Sequence, residues 1–310
     1  MPGDEFDESA TLDALGTEGA RPELADIDLW PTLDAVHLFM DDHQHALDVL
    51  RGHEQSIAAA ADAIAVRMGS SGRLIYVGAG TGGRMAAVDA AEIGPTYGLS
   101  GRVVAVFAGG VGALVDGREY YEDDADAGAA GVTALAPTRD DVVFGVSASG
   151  RTPYVLGGVD AGYAAGCLTV GFACTKASPL ARMSALAIET PTGPEIIGGS
   201  TRLKAGSVQK MVLNTISTLV MIKLGRTYGN LMVDLAADNA KLRRRAVRML
   251  AQATGAADPV AEAALDEARG STKVAIVALL AAVPAARAEE LLRASGGQVR
   301  KAVSLVDTPE

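Results

Sequence analysis

The stretch Arg73-Leu74-Ile75-Tyr76-Val77-Gly78-Ala79-Gly80-Thr81-Gly82-Gly83-Arg84 sets an apolar run directly against a glycine-rich turn. A run apolar at consecutive positions is what a strand covered on both faces needs, because its side chains alternate between faces and each must be buried. The glycines that follow remove side chains, so that backbone N–H groups can close on an anion at the start of the next helix. Outward from this stretch the same pattern recurs at Val103 to Phe107, Val142 to Val146, Leu168 to Phe172 and Ala185 to Ile188, with helix-length spacers between. Five parallel strands joined by right-handed crossovers are predicted, a doubly wound α/β sheet.

Composition agrees. With 49% hydrophobic residues, 21% charged and only 4% aromatic, and with 36 glycines, the 310 residues suit small-residue α/β packing better than an aromatic-rich sandwich. A formal net charge of -11 opposes nucleic acid as a partner, since each neutralised phosphate needs a Lys or Arg opposite it. The acidic start Met-Pro-Gly-Asp-Glu-Phe-Asp-Glu resembles no export signal. The longest apolar run, Val274 to Val283, is too short to span a bilayer, so no membrane partner is expected. Cys167 and Cys174 each sit in or beside an apolar run and are expected as buried free thiols in a cytoplasmic protein.

Three segments are predicted. Residues 1–54 carry 14 acidic residues against two arginines, interrupted by Pro2, Pro22 and Pro31, and form an acidic tail followed by a helical arm with Thr32 as its N-cap. All four histidines lie on this arm. His43 and His45 point to different sides of a helix and have no Cys or Glu at ligand spacing, so they are expected on the surface and no metal is assigned. Residues 55–235 form the α/β domain, with a long helix after Ser200. Residues 236–310 form several short helices divided by Gly255, Pro259, Gly270, Pro284 and Gly296-Gly297. The basic run Lys241, Arg243, Arg244, Arg245, Arg248 is taken as a solvated helix face.

The chemistry is expected at strand ends. Gly78, Gly80 and Gly83 also spell the dinucleotide fingerprint, which calls for an acidic residue about 20 positions on. No Asp or Glu occurs between Glu92 and Asp116, so a nicotinamide enzyme is set aside. No G-x-S-x-G elbow is present either, which removes a serine hydrolase of that type. The third strand delivers Ser147-Ala148-Ser149-Gly150-Arg151-Thr152-Pro153, three hydroxyls around a glycine where open α/β sheets bind ligands. Each turn alone could serve only for strand-to-helix packing or N-capping. Two such turns in one sheet favour a phosphate cradle. A third polar cluster, Ser200, Thr201, Arg202, Lys204, Ser207, Gln209 and Lys210, opens the long helix and offers cations for a sugar phosphate.

Four motifs carry a resemblance: Gly78-Ala79-Gly80-Thr81-x-Gly83-Arg84, Ala91-Glu92-x-x-Pro95-Thr96-Tyr97-Gly98, Ser147-Ala148-Ser149-Gly150-Arg151-Thr152-Pro153-Tyr154 and Ser200-Thr201-Arg202-Leu203-Lys204-Ala205-Gly206. With Tyr228-Gly229-Asn230-Leu231-Met232-Val233-Asp234, they resemble the N-acetylmuramic acid 6-phosphate etherases from about Thr17 almost to the end. The resemblance implies a five-stranded, flavodoxin-like SIS (sugar isomerase) domain, a small UBA-like helical C-terminal domain, and a homodimer whose sites draw on both subunits. It also implies cleavage of a D-lactyl ether with water in amino sugar recycling, without metal or organic cofactor.

Carried onto this chain, the resemblance makes Glu92 a general acid/base. Gly80, Thr81, Arg84, Ser147, Ser149, Gly150, Thr152, Ser200 and Lys204 become substrate- and phosphate-binding residues. The family's Ala-Gly-Gly-Glu reads Ala108-Gly109-Gly110-Val111, and valine cannot move a proton. A replacement is expected from Asp116, Glu119 or Glu122, with Glu122 assigned as the second catalytic carboxylate. The alternative is a diverged relative that isomerises or merely senses a phosphosugar.

Overall fold

The computed structural model describes residues 16, 17, 19–69, 71–115, 119–234 and 240–306, with the backbone alone at 114, 115, 119, 120 and 240. The chain divides into two compact units, and each is treated by itself.

The first unit comprises residues up to 68, with 72–90 and 104–216. It opens with two short 3-10 turns and the helices α1 (Thr32–Arg51) and α2 (Glu54–Met68). Thr32 is the first helical residue of α1 and Pro31 holds the N-cap, with no side-chain cap bond. His37, His43 and His45 are exposed and His53 is half-buried. The sheet then follows: β1 (Leu74–Gly78), α3 (Gly80–Tyr97), β2 (Val103–Phe107), α4 (Gly110–Val115), a 3-10 turn Glu119–Asp123, α5 (Ala125–Thr133), β3 (Val142–Ser147), α6 (Pro153–Ala164), β4 (Leu168–Ala173), α7 (Pro179–Met183), β5 (Leu186–Glu189) and α8 (Lys204–Lys223).

The five predicted strands are all present, within about a residue at each end. Their order is β2-β1-β3-β4-β5, and the pairs β1 with β3, β3 with β4 and β4 with β5 are parallel. This is the flavodoxin-like doubly wound order. Tyr76 stands opposite Phe144 in the register, and their rings meet edge to face at 5.6 Å. On one face Ile75, Val77 and Val143 pack with Tyr154, Val155 and Val159 of α6, Val132 of α5 and Leu180 of α7. The alternate residues Leu74, Tyr76, Phe144 and Phe172 are fully buried as well, and α2 packs on β3, β4 and β5. Burial on both faces is the reason the strand sequences read as unbroken apolar runs.

One ion pair ties the start of β1 to the start of β3. Asp141 accepts from the Arg73 guanidinium at 2.7 Å and from the backbone N–H groups of Arg73 and Thr138. Burial pushes the Asp141 carboxyl up, but the Arg73 bond and those N–H groups outweigh it and hold it below the usual aspartate value.

The second unit comprises 69–71, 91–103 and 217–310. A short antiparallel pair, β6 (Thr227–Tyr228) with β7 (Leu231–Met232), leads into α9 (Ala240–Thr254), α10 (Asp258–Glu267), α11 (Thr272–Ala281), α12 (Ala285–Ala294) and α13 (Val299–Ser304). These helices share a core of Leu250, Leu265, Ile276, Leu291 and Ala302, with Val233. Helix α11 is buried almost all round, which accounts for its unbroken apolar sequence. The buried Lys273 Nζ lies 2.6 Å from Asp234; burial pulls the ammonium below its ordinary value in spite of that carboxylate. In the basic run, Arg243 pairs with Asp266 at 2.6 Å, and Lys241, Arg244, Arg245 and Arg248 are exposed, as a solvated face requires. Among the described residues no helix is long and apolar enough to cross a membrane.

Candidate active site

In this strand order the chain leaves β1 toward β2 on one side and β3 on the other, so the C-terminal ends of β1 and β3 face a crevice that no crossover fills. Here lies a cavity of about 170 Å³. Its lining comes from three places: Ala79, Gly80, Thr81 and Gly82 after β1; Ser147, Ala148, Ser149 and Thr152 after β3; and Glu122, Thr201 and Gln209. The two turns singled out in the sequence therefore meet in one site.

The turn after β3 is a hydroxyl cluster. Ser147 Oγ accepts the Gly150 N–H at 3.0 Å and lies 2.8 Å from Thr152 Oγ1 and 3.4 Å from Ser149 Oγ. Gly150 holds the turn with φ +64°, in the left-handed region open to glycine. Thr152 occupies the N-cap of α6 yet makes no side-chain cap bond. Three hydroxyls bring three protons, and the two mutual bonds use two, so at least one O–H remains for a ligand. Opposite, α3 begins at Gly80, and the first N–H groups of a helix have no carbonyl of that helix to bond. Eighteen residues of aligned peptide dipoles add partial positive charge at this end. Among the described residues no Lys or Arg lines the cavity, and the donors these residues offer an anion are neutral N–H and O–H groups.

Among the described residues Glu122 is the one carboxylate in the lining. Its Oε1 comes within 2.7 Å of where a Cβ on Gly80 would stand, and Gly80 itself holds φ +52°, in the left-handed region open to glycine. Val111, in contrast, is 83% exposed on α4. Asp116 lies outside the described residues, as does the side chain of Glu119.

Other sequence-assigned residues lie elsewhere. Lys204 Nζ is bound to Asp42 Oδ1 and the Pro194 carbonyl, each at 2.9 Å, and Asp42 also accepts from Arg21 at 3.2 Å. These groups border a separate cleft of about 440 Å³. The Arg84 guanidinium donates to the Ala113 carbonyl and sits 5.7 Å from the Phe107 ring centroid. Ser200 is half-buried and outside the lining, and Glu92, in the later part of α3, is exposed and also outside it. Thr201 and Gln209, in contrast, do line the cavity. Both stood in the polar cluster that opens α8 but received no role. For Gln209 the available signal was an amide six residues into a helix otherwise apolar on that side.

The SIS domain profile matches residues 125–222, and the profile of the glucokinase regulatory protein N-terminal SIS domain matches residues 56–169. Among solved structures, a phosphoheptose isomerase from Francisella tularensis is similar to the chain with TM-score 0.47 and 18% identity over 63% of this chain and 98% of that one. Much nearer in sequence is the N-acetylmuramic acid 6-phosphate etherase of Streptomyces coelicolor, 51% identical over 94% of each chain. The enzyme of the same name from Rubrobacter xylanophilus is 49% identical over 94% of this chain and 97% of its own. Identity at that level along nearly the full length of both partners means that the chain belongs to the N-acetylmuramic acid 6-phosphate etherase family.

Proposed function

We propose that the protein cleaves the D-lactyl ether of N-acetylmuramic acid 6-phosphate with water, giving N-acetylglucosamine 6-phosphate and D-lactate. Beside the family membership, the observation that carries this is the cavity between β1 and β3. It joins N–H and O–H donors, suited to a phosphate ester, to the Glu122 carboxylate, suited to proton transfer.

The reaction needs two proton-handling groups. In the open-chain sugar the C1 aldehyde acidifies the C2 proton. One carboxylate takes that proton while the other protonates the ether oxygen, and lactate leaves from C3. Water then adds at C3 and a proton returns to C2. Each positioned acid or base contributes about 10²–10⁴-fold. Glu122 is one of the pair. Ser147, Ser149 and Thr152, with the Gly80 and Thr81 amides, hold the phosphate.

Glu92 is the other. Being exposed and outside the lining, it acts in the site of a second copy, in a homodimer. An exposed heptad-spaced stripe on α1, Leu33, Val36, Met40 and Leu47, supports such a dimer. The free, buried thiols of Cys167 and Cys174, the latter pushed up to about 12 by burial, support a cytoplasmic home.

Turnover in heavy-oxygen water tests the reaction: D-lactate should appear with label at sugar C3, and sugar consumed without lactate would overturn it. Mixing inactive Glu92→Gln and Glu122→Gln proteins tests the shared site. If each site takes one carboxylate from each copy, mixed dimers regain activity. If both come from one chain, they stay inactive.

A further inference from the structure

The cavity contains a group that the phosphate cradle and the proton transfers leave unused. Gln209, on α8, is 1% exposed, and among the described residues neither its Nε2 nor its Oε1 has a hydrogen-bond partner. Buried side-chain amides are almost always paired, and an orphan in a cavity is a group that awaits something. Its freedom is built in from the opposite wall. A Cβ at Gly82 would lie 2.9 Å from Nε2, 3.2 Å from Oε1 and 3.1 Å from Val146 Cγ1, so any side chain at 82 would push the carboxamide aside.

The chemistry of an amide says what would fit. Nε2 donates and Oε1 accepts. A phosphate ester dianion offers only acceptors, as does an ionised carboxylate, so the phosphate group satisfies Nε2 at most. Oε1 needs an O–H or N–H brought by the rest of the ligand. We infer that Gln209 is a specificity-determining residue that reads a hydroxyl or amide N–H on the sugar, so that the cavity selects a polyol phosphate over a simple phosphate ester. This rests on the phosphosugar role proposed above and deepens it.

Calorimetry at about pH 8 on the full-length protein with two probes, N-acetylglucosamine 6-phosphate and methyl phosphate, tests it. In Gln209→Met, close in shape but without the amide, the sugar phosphate should bind about 10- to 100-fold more weakly, as expected when hydrogen bonds to a buried site are lost. Methyl phosphate, a dianion without an O–H, should change by less than about threefold, because it has no donor for Oε1. Gly82→Ala keeps Gln209 but displaces its carboxamide, and should show the same selective loss if Gln209→Met fails to fold. Unchanged sugar-phosphate affinity in either folded variant, or equal weakening of both probes, would overturn the inference while leaving the cradle intact. A wild-type protein that binds neither probe would overturn the cradle and the inference together.

Discussion

Lys204 and Gln209 lie five residues apart on α8, and both are almost fully buried, at 3% and 1% exposure, yet their polar ends meet opposite treatment. Five residues turn a helix by roughly 140° past a full circle, so the two side chains leave on nearly opposite sides. The Lys204 ammonium finds Asp42 and the Pro194 carbonyl, Arg21 joins Asp42, and the Glu195 carboxylate caps the N–H groups of Lys204 and Ala205. Among the described residues the Gln209 carboxamide finds nothing. A buried polar group that is fully paired belongs to the frame; one left unpaired at a cavity belongs to the ligand. The contrast predicts that substitutions on the Lys204 side change stability, whereas those on the cavity side change chemistry or binding.

The largest effect that would break the contrast is at Glu122. Glu122→Gln should lower lactate release by about 10²–10⁴-fold, with N-acetylglucosamine 6-phosphate still bound. Steady-state kinetics beside calorimetry check this, and activity within a few-fold of wild type would remove Glu122 from the chemistry. On the other side, Lys204→Met leaves Asp42 buried with only Arg21 against it, and removing one partner of a buried pair costs roughly 3–5 kcal/mol. Urea unfolding should show that loss, with sugar-phosphate affinity of the folded variant unchanged. If instead stability holds and affinity collapses, Lys204 is a ligand group and the contrast is reversed.

A second paired carboxylate sharpens the same point through pH. Asp141 is held below its unfolded value, so its contribution is fully present above about pH 4 and is lost as pH falls through the folded value. Asp141→Asn should cost about 1.5–3 kcal/mol at neutral pH, the range for hydrogen bonds to a charged group. It should also flatten the acid limb of the stability curve between pH 5 and the folded value. An unchanged acid limb, measured by urea midpoints across pH, would show that Arg73 and Asp141 contribute nothing by their charge.

What the sequence made legible follows from the range over which each feature acts. The five strands announce themselves because two-sided burial writes an apolar run locally, and the turns after β1 and β3 because glycines and hydroxyls cluster within a few residues. Which polar groups of one helix face which neighbour depends on residues far along the chain. Lys204 meets Asp42 162 positions away, a contact that no local pattern encodes, and so Lys204 and Gln209 looked alike. Glu122, expected from the sequence as the replacement for the acid absent at Val111, lines the cavity, its Oε1 within 2.7 Å of a Cβ built on Gly80.

Val111 yields the smallest expected effect. If Val111 marked a lost catalytic acid, Val111→Glu would restore one and raise lactate release severalfold. The structure places Val111 83% exposed at the second residue of α4, outside the cavity lining, while Glu122 already supplies a carboxylate there. A glutamate in the first turn of an exposed helix interacts with the helix dipole, worth about 0.3–1 kcal/mol of stability. Residue 111 is not part of the described cavity lining. Val111→Glu should therefore leave kcat and KM within about twofold of wild type, as surface substitutions away from a site generally do. A clear rise in kcat would show that α4 approaches the substrate during turnover, and that the carboxylate in the cavity is not by itself enough for the chemistry.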